Sequence, residues 1–243
     1  MKKLILPLLL LSTLISCAQQ KNSTGDILKK AGTIFGKKDG GGLTNEDVIA
    51  GLKEALSVGA RNSSDKLSSV DGFFANAAIK VLMPEEAKKV ESTLRNMGLG
   101  NMVDKAILSM NRAAEEASKS AAPIFIDAIK GMSIQDAFGI LRGSDSAATV
   151  YLKGRTTAGL TSAFKPVIED ALEKVNATKY WKDVFETYNK LPTTFNKVNT
   201  DLSGYVTDKA LTGIFYQVAL EEQKIRKDPA ARVTDILRKV FGS

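Results

Sequence analysis

The sequence predicts an all-α fold: a single multi-helix, bundle-like domain that follows a signal peptide and a flexible tether. Three observations carry this expectation. Beyond residue 43, apolar residues recur at helical spacing in segment after segment of the 243-residue chain. Several of those segments open on capping-type sequences, or on proline followed by acidic residues, both of which are helix starts. Only one short run, 77–83, has the character of a strand, and there is no fixed-period repeat.

The elements follow in order. Thr44-Asn45-Glu46-Asp47 has the form of a capping box with Asp in the Glu/Gln position, and Val48, Leu52, Ala55 and Leu56 follow on one face. Residues 68–76 read as a loop. Pro84-Glu85-Glu86 opens another helix, with proline in the first turn and acid near the positive end of the dipole. A helix over 102–120 places Val103, Ala106, Ile107, Met110, Ala114 and Ala117 on one stripe, and its many alanines permit close helix packing. Pro123 would clash with the carbonyl of Lys119, so it kinks or ends that helix. Ser133-Ile134-Gln135-Asp136 is a second box-like start, closed by Gly143. Helical patterns continue over 147–174, with a bend expected at Pro166, and over 179–190 before Pro192. The clearest pair comes last. Residues 207–227 align Leu211, Ile214, Phe215, Val218 and Ile225, and Asp228 with Pro229 then starts a final helix that buries Val233, Ile236, Leu237 and Val240.

Residues 1–16 read as a lipoprotein signal peptide. Lys2 and Lys3 supply its positive start, and the apolar run from Leu4 to Ile15 is about a dozen residues, short of the ~20 that span a bilayer as a helix. Leu14-Ile15-Ser16-Cys17 resembles the lipobox after which such leaders are cut, so Cys17 is the expected lipidation site. Acyl burial contributes about 0.8 kcal/mol per CH₂, and two or more chains on one cysteine hold a protein stably on a membrane. Gln19, rather than Asp, stands two residues after Cys17, which favours the outer membrane with a periplasm-facing domain. Residues 17–42 then form a polar tether ending in Gly40-Gly41-Gly42, with Lys29, Lys30, Lys37 and Lys38 close enough to meet anionic headgroups. The globular domain occupies 43–243.

Composition narrows the chemistry. Hydrophobic residues at 44% and charged residues at 25% are ordinary globular values, and a formal charge of +7 without a dense basic stripe argues against nucleic acid as a partner. There is no histidine, and Cys17 is the only cysteine. Ser-His-Asp and Cys-His catalysis, ordinary zinc sites, His- or Cys-ligated haem and thiol redox chemistry therefore drop out. Carboxylates, lysines, hydroxyls or a hard metal ion remain, and the sequence points to no particular metal or cofactor.

Some polar residues occupy positions where the helical pattern expects apolar ones. Glu221 and Glu222 fall between Val218 and Ile225, and Asn111 lies between Ile107 and Ala114. Arg226 is one turn after Glu222, and Arg112 can reach Glu115. Charge at a core margin must be paired or hydrated. Asn111, Arg112, Glu115, Glu221, Glu222 and Arg226 are therefore either a structural network between helices or a polar cleft. In a cleft the carboxylates could hold a cation or act as acid and base, with arginine holding an anionic headgroup. Ser63-Ser64-Asp65-Lys66 and Ser162-Ala163-Phe164-Lys165 have the S-x-x-K spacing of penicillin-interacting enzymes but lack the K-T-G partner motif. Asp145 suits a capping turn, and Phe73-Phe74 and Tyr180-Trp181 suit the core or its rim.

Several segments together resemble a known family. They are Asp71-Gly72-Phe73-Phe74, Met110-Asn111-Arg112-Ala113-Ala114-Glu115, Ala122-Pro123-Ile124-Phe125 and Ala147-Ala148-Thr149. The most specific is the carboxy-terminal run from Glu221-Glu222 through Ile225-Arg226 and Asp228-Pro229 to Ala231-Arg232, ending Val240-Phe241-Gly242. From about Leu43 to Gly242 the chain resembles the bacterial lipoprotein family known as domain of unknown function 4197. The resemblance implies architecture and an envelope location, and brings no activity with it. The expected function is a non-catalytic helical module that binds an apolar or amphipathic ligand, such as a lipid, or an envelope protein, with the membrane as partner through Cys17. The alternatives are a histidine-independent hydrolase using Glu115 or Glu222, and a structural envelope scaffold.

Overall fold

Apolar spacing of three and four residues becomes helix wherever a stripe can be covered, and here seven α-helices cover one another. The computed structural model describes residues 44–174, 176–179, 181–182 and 201–228. Among these, α1 spans Asn45–Ser68, α2 Lys88–Asn96, α3 Gly100–Ser118, α4 Ala121–Lys130, α5 Ile134–Leu141, α6 Ala147–Lys174 and α7 Leu202–Lys227. A 3₁₀ turn at Glu85–Ala87 leads into α2, and there is no strand among the described residues. The expected leader, Cys17, the expected tether, Tyr180, most of the expected 179–190 helix and the helix expected after Asp228 lie outside the described residues.

Local chemistry starts these helices. Thr44 and Ser133 both close reciprocal capping boxes: each hydroxyl accepts from the amide three residues on, and the Asp there accepts from the Thr44 or Ser133 amide. The Ser133 hydroxyl and amide hold the Asp136 carboxyl below the usual carboxylate range. The α7 helix begins a turn and a half before its expected start, because the Asp201 carboxylate caps it by accepting from the Gly204 amide at 2.8 Å. The α3 helix ends at Ser118, and Pro123 sits in the first turn of α4, where its missing N–H costs nothing. Pro166 lies inside α6, which continues past it to Lys174.

Residues 43–243 form one compact unit that contains every described core side chain, so this segment carries its own core. The α7 helix packs along α6 and α1, α3 packs against both α6 and α7, and α4 lies against α1. Phe73, Phe125 and Phe164 are the largest fully buried side chains, each worth about 1.5–3 kcal/mol of burial. Phe125 meets Phe215 edge-on at 5.9 Å. Phe73 lies against the backbone of α7 at Gly213, where a Cβ would come within 2.3 Å of its ring; only glycine leaves room for it.

The run 77–83, strand-like in sequence, is not a strand. Ile79, Val81 and Met83 are buried in the alternation a strand would show, while Leu82 is exposed. No neighbouring chain segment completes a ladder; a side chain does. The Asn111 carbonyl oxygen accepts from the Val81 amide at 2.9 Å, and its NH₂ donates to the Val81 carbonyl at 2.8 Å. One amide thus satisfies both backbone groups of a buried residue, which burial requires.

Candidate functional site

The six polar residues singled out above fall into three separate clusters. In the first, α3 anchors the loop before it. Glu115, 4% exposed, accepts through one oxygen from the amides of Phe73 and Phe74 at 3.1 and 3.2 Å. Its other oxygen accepts from Arg112 at 2.6 Å, and Arg112 also donates to Asp71 at 2.7 Å. The Glu115 and Asp71 carboxylates raise the Arg112 pKa above its ordinary value, against the opposing effect of desolvation. Asp71 adopts φ 67°, and a Cβ on Gly72 would lie 2.5 Å from the Lys66 carbonyl. The chain therefore turns tightly over the end of α1 and delivers two amides to one carboxylate. Asn111, one turn before Glu115, holds Val81 as described.

In the second cluster Glu222 of α7 caps α6 from outside. It accepts from the amides of Ala148 and Thr149 at 3.0 and 2.9 Å, the two donors that an N-cap side chain would ordinarily take, and from the Thr149 hydroxyl at 2.7 Å. Arg226 grips the same carboxylate and donates to the Ile140 carbonyl in the last turn of α5 at 2.9 Å. The acid thus sits at the positive end of one helix and the base at the negative end of another. In the third cluster Glu221 accepts from Asn62 of α1, Gln217 and Lys224. It does so where α1 and α7 cross, with Gly59 opposite its Cβ. These clusters share no hydrogen bond, and each joins backbone or helices.

The remaining motifs have structural placements too. The Ser63 hydroxyl is buried and donates to the Gly59 carbonyl, while Lys66 of the same S-x-x-K is exposed. Asp145 pairs with Lys227 at 2.8 Å on the surface. Phe73 is in the core, and Phe74 is half-buried under the Lys80 ammonium, 3.7 Å from its ring centre.

A concave feature lies on another side of α3. Met102, Ala106, Ser109, Ala113 and Glu116 follow one another at helical spacing and line a cavity of about 840 Å³. This stripe adjoins the Val103–Ile107–Asn111–Ala114 stripe that faces the core, whose Val103 also borders the cavity. Met83, Leu94, Met110, Ala171, Trp181 and Leu202 add apolar wall, and Lys105, Arg112 and Lys174 stand at its edge. Ala106 helps to open the hollow: it presents one methyl where a larger residue would fill it. The alanines of α3 pack closely, as their spacing predicts: Ala113, Ala114 and Ala117 are fully buried, while the half-buried Ala106 faces the cavity. Trp181, read from sequence as core or core rim, is 5% exposed and forms part of this wall.

Fold and site together define an all-helical domain with a lateral, mostly apolar groove and polar side chains committed to holding backbone. The chain belongs to the family described as Protein of unknown function (DUF4197), whose sequence model matches residues 42–242. No curated protein and no solved structure was found to match it. Some of the segments that carried the family resemblance meet in space. Asp71-Gly72-Phe73-Phe74 is the partner of the Asn111–Glu115 run, and Ala147-Ala148-Thr149 is the partner of Glu222. Among the described residues no helix is long and apolar enough to cross a membrane.

Proposed function

We propose that this chain is an envelope lipoprotein, acylated on Cys17 and held at the outer membrane facing the periplasm, whose helical domain binds an apolar or amphipathic ligand without transforming it. The groove along α3 is the observation that carries this reading. Its volume of about 840 Å³ falls in the range of small-molecule sites, its wall is mostly apolar, and charged groups stand only at the rim. A non-catalytic role is further supported by the state of the two carboxylates a hydrolase would need. Glu115 and Glu222 are 4% and 5% exposed, and their oxygens are taken up by backbone amides and arginine.

Residues 43–243, purified and examined by native mass spectrometry, should carry or take up lipid. Ala106→Phe, which puts a ring into the groove, should lose that ligand while keeping the melting temperature. A wild-type domain that takes up no lipid would count against the reading. For the anchor, Cys17→Ser should accumulate as an unprocessed, unlipidated precursor. Normal cleavage and unchanged membrane fractionation of that variant would mean that Cys17 is not the anchor.

A further inference from the structure

We infer that the groove takes a long acyl ligand ending in an anionic head, with the head drawn to the rim lysines Lys105 and Lys174; this rests on the groove being a ligand site. Length comes first. From Met102 to Glu116 the floor runs along α3 for about 21 Å at 1.5 Å per residue. One leaflet of a bilayer's hydrocarbon is about 15 Å deep, so an extended membrane acyl chain fits along the floor.

Charge gives the head. Of the ionic groups on the rim, Arg112 is tied to Glu115 and Asp71, and Glu116 pairs with Lys119 at 2.6 Å. Lys105 and Lys174 have no ion-pair partner among the described residues, so the charge left to meet a ligand is positive. An apolar floor with ammonium groups at its edge complements a carboxylate or phosphate on a hydrocarbon tail. A neutral or cationic head gains nothing from it.

Trp181, the only tryptophan in the sequence, lies in the groove wall and reports occupancy through its fluorescence. Residues 43–243 would be titrated with hexadecanoate, hexadecanol and hexadecyltrimethylammonium, each below its aggregation threshold. Hexadecanoate should bind about tenfold more tightly than the alcohol, and the ammonium compound most weakly. Lys105→Gln combined with Lys174→Gln should erase that difference and leave the alcohol's affinity unchanged. Equal affinity for all three heads would overturn the charge inference while leaving the groove a ligand site. If no probe shifts the Trp181 emission, and Ala106→Phe changes nothing, the ligand site itself is refuted and the inference falls with it.

Discussion

Glu115→Ala is expected to remove about 3–5 kcal/mol of folding stability, a large share of what a domain of this size holds. The substitution deletes no bulk hydrophobic contact. It leaves the buried amide of Phe73 and the half-buried amide of Phe74 without their acceptor, and leaves Arg112 with Asp71 alone. An unmet buried donor costs about 1–3 kcal/mol, and two are involved together with a charge. Urea denaturation should show the loss as a lower midpoint with an unchanged slope. Glu116→Ala is the control: its carboxylate is exposed and pairs with Lys119 on the surface, so its effect should stay within about 0.5 kcal/mol. If the two neighbours behaved alike, the anchoring role of Glu115 would be wrong.

Glu222→Ala should cost a similar amount, about 3 kcal/mol or more, for a different reason. The first turn of α6 has no nearer side chain for the Ala148 and Thr149 amides, and Arg226, 15% exposed at its side chain, would face the Ile140 carbonyl without its acid. The loss should appear in circular dichroism melts. Hydrogen exchange should locate it at the start of α6, where the amides of Ala148 and Thr149 lose protection before those of Leu160 or Phe164. Uniform loss along the helix would argue against a capping role.

How much of this was legible in the sequence differs by feature. Capping boxes at Thr44 and Ser133 are local, complete within four residues, and were read as they stand. The early start of α7 was also available locally, in Asp201 with its acceptor aimed at Gly204, but the apolar stripe looked clearest only from Leu211 onward. The run 77–83 misled because its alternation is real: the segment is buried on one face, but a side chain of α3 rather than another strand completes its backbone pairing. The polar residues were legible as a core margin. The one-turn pairs Arg112 with Glu115 and Arg226 with Glu222 were legible as well, but the backbone partners at Phe73, Val81 and Ala148 were not, since those bonds cross long stretches of sequence that only the fold closes. The groove was least visible of all. It depends on space that Ala106 leaves unfilled, and a small residue in a helix reads the same whether it packs tightly or borders a hollow.

The segment leading from α1 to the 3₁₀ turn has one more consequence. Its amides at Phe73, Phe74 and Val81 are all answered by two side chains, Asn111 and Glu115, one turn apart on a single helix. It has no register of its own to fall back on, as a strand in a sheet would. The segment and α3 therefore behave as one cooperative unit: they gain order together in folding, and any local opening that frays the middle of α3 releases the whole connection at once.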